Sequence, residues 1–186
     1  MTDDPTVLIV DDEDKLADMY SLWLRREYDV RTANDARDAA DALDQSVDVL
    51  LLDRRMPGVS GDRLLDELAD TRPFSVVLVT AVDPDFDIVD MSFDDYLPKP
   101  VQHDDLTAAI EHQLTAQEHG ETLRTYFAAR AKLGALEARK PAHELDRNDA
   151  YADLRSRADG LESTLRGSVP GFDELVAGFT AIDRGT

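Results

Sequence analysis

The sequence has no cysteine, so it carries no disulfide framework and no thiolate metal site. It has no apolar run near the roughly 20 residues a helix needs to span a bilayer. Its opening, Met1-Thr2-Asp3-Asp4, is acidic and unlike a secretion signal. These absences point to a cytoplasmic chain with no membrane partner. Cations are scarce: 20 Lys and Arg stand against 40 Asp and Glu, a formal charge of −20. Lysine occurs only at Lys15, Lys99, Lys132 and Lys140. The shortage is concentrated in residues 1–119, which hold 29 acids and 10 bases, while residues 120–186 hold 11 and 10. Nucleic acid is therefore a poor partner for the first part, because phosphate contacts need a basic face. An acid excess this large matches proteins that work in molar salt, where screening acts over a few ångströms.

What is present is a set of short buried strands. Val49-Leu50-Leu51-Leu52 is an apolar run closed by Asp53 and followed by Met56-Pro57-Gly58. A run so short and apolar reads as a parallel strand buried on both faces. Asp53 then lies at the strand's carboxyl end, where open α/β sheets hold ligands. Thr6–Val10 reads as a first strand closed by Asp11-Asp12-Glu13. Asp29–Ala33, Ser75–Thr80 and Asp95–Pro98 read as three more. Helical spacing predicts helices after Asp14, over 35–45, around Leu64 to Leu68, and over 103–118. Only a short helix fits near Phe86–Met91. Strands alternating with helices indicate an α/β, doubly wound parallel sheet of five strands.

Beyond His119-Gly120 the strands stop. Tyr126, Ala129, Leu133 and Leu136 form one apolar stripe; Tyr151, Leu154, Ala158, Leu161 and Leu165 form another. Lys140-Pro141 ends the first helix, and Asn148 or Asp149 caps the second. The expectation is an α-helical hairpin, with a last short helix near Phe172 to Phe179. Two parts follow, 1–119 and 120–186. The aromatics Tyr126, Phe127 and Tyr151 carry more surface than one partner helix hides. Part of it is expected to meet the helix over 103–118, a second copy of the chain, or another protein.

The chemistry lies in the strand ends. Asp11, Asp12, Asp53, Thr80 and Lys99 all fall on one edge of the sheet. Carboxylates gathered there repel one another, and a divalent cation with oxygen ligands and waters relieves this, which suits Mg²⁺. Lys99 adds a compact cation and Thr80 a hydroxyl. Together they are what an incoming phosphoryl group needs.

Residues 5–118 resemble the receiver domain of two-component response regulators. The resemblance rests on Val10-Asp11-Asp12-Glu13, on Asp53 with Met56-Pro57 and Gly61, on Thr80-Ala81, and on Asp95-Tyr96-Leu97 running into Lys99-Pro100. It implies a flavodoxin-like strand order 2-1-3-4-5 and phosphorylation of Asp53 by a sensor histidine kinase. It implies Mg²⁺ held by Asp12, Asp53 and the backbone carbonyl of Arg55, with Asp11 acting through water. Thr80 and Lys99 would contact the phosphoryl oxygens. Tyr96 matches the aromatic switch position, and Lys99-Pro100 the family's cis peptide. One departure is visible: only 19 positions separate Thr80 from Lys99, about three fewer than the family pattern. The tail resembles the HalX domain that follows receivers in halophilic archaea.

Two other functions compete with a phosphorelay switch whose tail makes protein contacts. A DNA-binding regulator acting through the C-terminal helices would need a basic recognition helix, and Arg124, Arg130 and Lys132 only sketch one. A phosphatase would need a second acid two residues after its nucleophile, where Arg55 stands. His103, His112, His119 and His143 lack a nucleotide-binding glycine motif and read as solvated helix positions.

Overall fold

The computed structural model describes residues 4–68 and 72–185; Met1 to Asp3 lie outside them. Strands β1 (Thr6–Val10), β2 (Asp29–Ala33), β3 (Val47–Leu52), β4 (Ser75–Thr80) and β5 (Asp95–Pro98) form one parallel sheet in the order β2-β1-β3-β4-β5. The register aligns the carboxyl ends. Val10 pairs with Ala33 and with Leu52, Leu52 with Leu78, and Thr80 with Pro98.

The period-two alternation of the strands divides the core into two layers. Leu8, Val10, Leu50, Leu52, Val76 and Leu78 face one side, against helices α2 (Ala36–Ala42) and α3 (Gly61–Glu67). Val7, Ile9, Val49, Leu51, Val77 and Val79 face the other, against α1 (Asp14–Leu24) and α4 (His103–His119). Local sequence sets the helix ends. Asp35 and Ser60 accept hydrogen bonds from the backbone N–H groups of Asp38 and Arg63. Helix α2 stops three residues before the expected Gln45. Leu43 turns extended there, and the Asp44 carboxylate takes the N–H of Ser46 at 2.8 Å.

Between β4 and β5 lies only a 3-10 helix, Phe86–Asp90. Five residues cannot cover the β4–β5 end of the first layer. The tail does so instead. Helix α5 (Glu121–Arg139) lays Ala129, Leu133, Ala135 and Leu136 into that core, beside Leu78, Phe93 and Tyr96. Gly120 makes this possible. Its φ of 98° is costly for any residue with a Cβ, and it turns the chain from α4 on one side of the sheet to α5 on the other.

The tail is richer than a hairpin with one trailing helix. A single turn, α6 (Ala142–Leu145), precedes α7 (Asp149–Ser168), and α8 (Phe172–Ala181) follows. The expected cap is Asn148, which accepts from the Tyr151 N–H at 2.9 Å. Helix α5 is sandwiched. Its other side packs Leu123, Tyr126, Phe127 and Ala131 against Leu165, Phe172 and Phe179 in a third cluster. Part of the surplus aromatic surface meets α4 as expected, Phe127 lying against His112 and Ala116 joining its cluster, while Tyr151 joins the sheet's first layer. Among the described residues the exposed large hydrophobics are Leu22 and Val59, neither of them in the tail.

Candidate functional site

Each candidate side chain is placed by a strand end. The Asp11 N–H donates to Ala33, the Asp53 N–H to Val10, and the Lys99 N–H to Thr80, so the ladder continues one step past the sheet. The loop after Asp53 then folds back tightly. A Cβ on Gly61 would lie 1.9 Å from the Asp53 carbonyl oxygen, so only glycine fits there. The peptide between Lys99 and Pro100 is cis.

Lys99 is the hub. Its Nζ lies 2.7 Å from Asp11 Oδ2 and 2.9 Å from Asp53 Oδ2, with Glu13 Oε1 at 3.3 Å. The other Asp53 oxygen accepts the Arg55 N–H at 3.1 Å, and Asp11 Oδ1 accepts the Glu13 N–H at 2.9 Å. Burial pushes the Asp11 carboxyl above the ordinary aspartate range, and the Lys99 hydrogen bond offsets only part of this. Burial also opposes the charge on Lys99. The hydrogen bonds and charges of Asp11 and Asp53 outweigh it and hold the ammonium above the usual lysine value.

A cavity of about 290 Å³ brings Asp12, Asp53, Arg55, Thr80 and Lys99 onto one wall. Thr80 is fully buried, and its hydroxyl accepts the Val82 N–H at 3.1 Å. The tightest group of carboxylates is Asp11, Glu13 and Asp53, whose ligand atoms lie within 4.8 Å of one another. Glu13 is thus a member that sequence reasoning left out, although it stands in the same acidic run. Asp12 is half-buried in the same cavity. Three clustered carboxylates, all hard oxygen donors, are a donor set that fits Mg²⁺.

Residues 7–111 match the response regulator receiver domain family. The chain belongs to that family. Residues 115–182 match the HalX domain. A relative from Haloferax volcanii described as a transcriptional regulator is 40% identical over 175 residues, which is 91% of this chain and 30% of the relative. The regulatory protein VanR of Enterococcus faecium is 33% identical over 58% of this chain and 49% of its own length. The chain therefore spans about half or less of the curated relatives it matches. A receiver domain protein from Methanospirillum hungatei superposes with a TM-score of 0.57 at 29% identity, over 62% of this chain and 97% of that one. A Francisella response regulator receiver domain gives 0.53 at 26% identity, over 60% and 97%. The acidic, lysine-poor composition agrees with the HalX match and the Haloferax relative.

Beside the receiver's acidic cluster lie groups that local pattern does not show. Arg54 is buried and clamps Asp62 through two hydrogen bonds of 2.8 and 2.9 Å, and Asp87 through a third of 2.9 Å. It thereby ties the loop after Asp53 to the 3-10 helix. The Tyr96 hydroxyl donates to the Val82 carbonyl. A second cavity, about 120 Å³, runs from Thr80, Tyr96 and Lys99 to Ala135, Ala138 and Arg139 of the HalX helix α5. Two ion pairs rim this junction, Asp85–Lys140 at 2.8 Å and Asp83–Arg139 at 3.5 Å.

One histidine departs from the expected solvated position. His112 on α4 is buried against Phe127 and Phe179, and among the described residues neither ring nitrogen has a partner within good hydrogen-bond geometry. Its period on α4 places it among Ala109, Gln113 and Ala116, which the tail covers.

Proposed function

We propose that the receiver accepts a phosphoryl group on Asp53 from the phosphohistidine of a sensor kinase, and that the HalX helices carry the response. The observation that supports this most is the contact of Lys99 with Asp11 and with Asp53, the latter sharing one cavity with Lys99 and Thr80. Asp53 presents one carboxylate oxygen to phosphorus. The new O–P bond forms as the donor's N–P bond breaks, and the imidazole leaves with its electron pair. Lys99 and the Thr80 hydroxyl sit where the transferred oxygens gather charge. Asp12, Asp53 and the Arg55 carbonyl would hold Mg²⁺, with Asp11 acting through water and Glu13 close by. When bound, the ion neutralises phosphoryl charge. Lys99 keeps the cluster together and offsets its repulsion.

The proposed division falls at Gly120: residues 1–119 as phosphoacceptor and 120–186 as output. The output route is the Thr80–Asp83 loop. It touches both the phosphoacceptor cavity and the second cavity against α5. A response at Thr80 and Tyr96 would reach Arg139 and Lys140 through Asp83 and Asp85. Because the tail buries its apolar stripes against the receiver and between its own helices, contacts with another protein or a second copy would be mainly polar. The chain would act in the cytoplasm, beside its kinase.

Transfer from a radiolabelled histidine kinase to the full chain tests the reading. Label should appear with Mg²⁺, vanish in excess chelator, and be absent from Asp53→Asn. Equal transfer in chelator would overturn the metal's role. Light scattering with and without beryllofluoride tests the self-association branch. A monomer in both states would remove it.

A second reading, a regulator that binds DNA through the tail, draws support from the Haloferax relative, whose match includes the tail. Sequence-selective, salt-resistant binding of DNA by the full chain would favour it over protein contacts.

A further inference from the structure

A crevice of about 580 Å³ opens on the side of the molecule where the receiver meets α5 and α7. That volume falls within the roughly 300–1,000 Å³ usual for small-ligand sites. Four cations line it: Arg72 of the receiver, Arg124 and Lys132 of α5, and Arg157 of α7. In a chain with only 20 lysines and arginines, this is a marked concentration of positive charge. Three acids line it too, but they do not cancel it. Asp94 is fully engaged: one oxygen accepts from Arg72 and from the Val76 N–H, both at 2.8 Å, and the other faces Arg124 at 3.5 Å. Asp90 and Glu121 are exposed to water.

The cations are also short of acceptors. Arg72 is nine-tenths buried, and among the described residues its Nε has no partner; the buried Nε of Arg124 has none there either. Buried donors without acceptors are rare and call for an ion or a water. Lys132 donates to the carbonyls of Val89 and Met91, and no carboxylate pairs with it among the described residues. Burial brings its pKa down to about 8, against the pull of Asp94 and Asp90. Arg157 is exposed and makes no ion pair among the described residues, so its guanidinium is available at the rim.

We propose that this crevice binds a small phosphate-bearing anion, gripped by Arg72, Arg124, Lys132 and Arg157. Guanidinium forks match phosphate oxygens in pairs, and a compact ammonium adds a point charge. The crevice takes its walls from both parts of the chain. A ligand there would bridge receiver and tail, and would bias the same junction that the phosphoacceptor site is proposed to act on. That last clause rests on the proposed function; the binding itself does not.

Pyrophosphate is the probe. Titrate it into the full chain without Mg²⁺, at constant ionic strength set with KCl, and follow binding by calorimetry and ³¹P line shape. Saturable one-to-one binding is expected. Arg157→Gln, an exposed change that leaves the fold alone, should weaken it about tenfold, the loss of one charge-assisted hydrogen bond. Arg63→Gln on α3 should leave it unchanged. Asp53→Asn should also leave it unchanged; binding lost in that variant would assign the anion to the phosphoacceptor cavity and overturn the proposal. No saturation, equal affinity in Arg157→Gln, or displacement by chloride at matched concentration would each overturn it as well. Tighter binding of a DNA oligonucleotide than of pyrophosphate would reject a small-molecule site.

Discussion

Leu133 measures how far receiver and tail are one folded unit. It lies on α5, is 1% exposed, and belongs to the core layer of β1, β3 and β4. Leu133→Ala removes three methylene-sized groups from a site walled by the sheet on one side and helices on the other. Such a site collapses poorly, and core Leu→Ala changes cost about 2–5 kcal/mol. We expect about 3 kcal/mol, which for a chain of this size lowers the melting midpoint by roughly 6–12 °C. The chain supplies its own reporter. Its one tryptophan, Trp23, sits on α1 in the receiver, against Tyr20 and His103 and far in sequence from the tail. Far-UV circular dichroism weights the helices, more than half of whose residues lie beyond Gly120. If the core is shared, tryptophan fluorescence and circular dichroism should report one transition, and Leu133→Ala should move both equally. A fluorescence curve that stays put while the circular dichroism curve shifts would refute the shared core. The tail would then melt by itself.

Three further outcomes follow from buried charge. His112 has its pKa brought down to about 4, mainly by burial, from 6.5 in the unfolded chain. The unfolded state therefore binds more protons between those values, and stability falls as pH drops from 6.5 toward 4, by on the order of 3 kcal/mol. His112→Leu should flatten urea midpoints between pH 6.5 and 5; an unchanged slope would contradict this. Arg184 holds the fully buried Asp95 through two hydrogen bonds of 2.8 Å. Arg184→Met should cost about 3–5 kcal/mol at pH 7 by stranding that carboxylate, and the double variant with Asp95→Asn should recover much of it. A double variant no more stable than the single would count against the pair. Lys99→Ala should remain folded in molar KCl, with phosphorylation reduced but present and the response of the tail lost. Its melting point should rise more on adding Mg²⁺ than the parent's, since the ion replaces the missing cation; equal rises would contradict the hub role.

Much of the fold was readable because its signals are local. Four-to-six-residue apolar runs ending in Asp11, Asp53 and Thr80 mark strands and their functional edge together. The helix cap at Asn148 follows from residue type alone. Glu13 was within reach, since it continues the Asp11-Asp12 run. The rest depends on contacts between distant residues. Arg54 with Asp87 and Arg184 with Asp95 are separated by 33 and 89 positions, and no periodicity announces such pairs. His112 read as solvated because no nucleotide-binding motif accompanies the histidines; its burial comes from Phe127 and Phe179 arriving from the tail. The docking of α5 did leave one sign. A segment of 19 positions between Thr80 and Lys99 is too short to cover its side of the sheet, so something else had to.

The central claim is that Asp53 takes the phosphoryl group. Incubate the full chain with a small phosphodonor and Mg²⁺, trap the acyl phosphate by reduction, and map the modified residue by mass spectrometry. One modification is expected, on the peptide containing Asp53, and none in Asp53→Asn. A label on another residue, or one that persists in Asp53→Asn, would contradict the account.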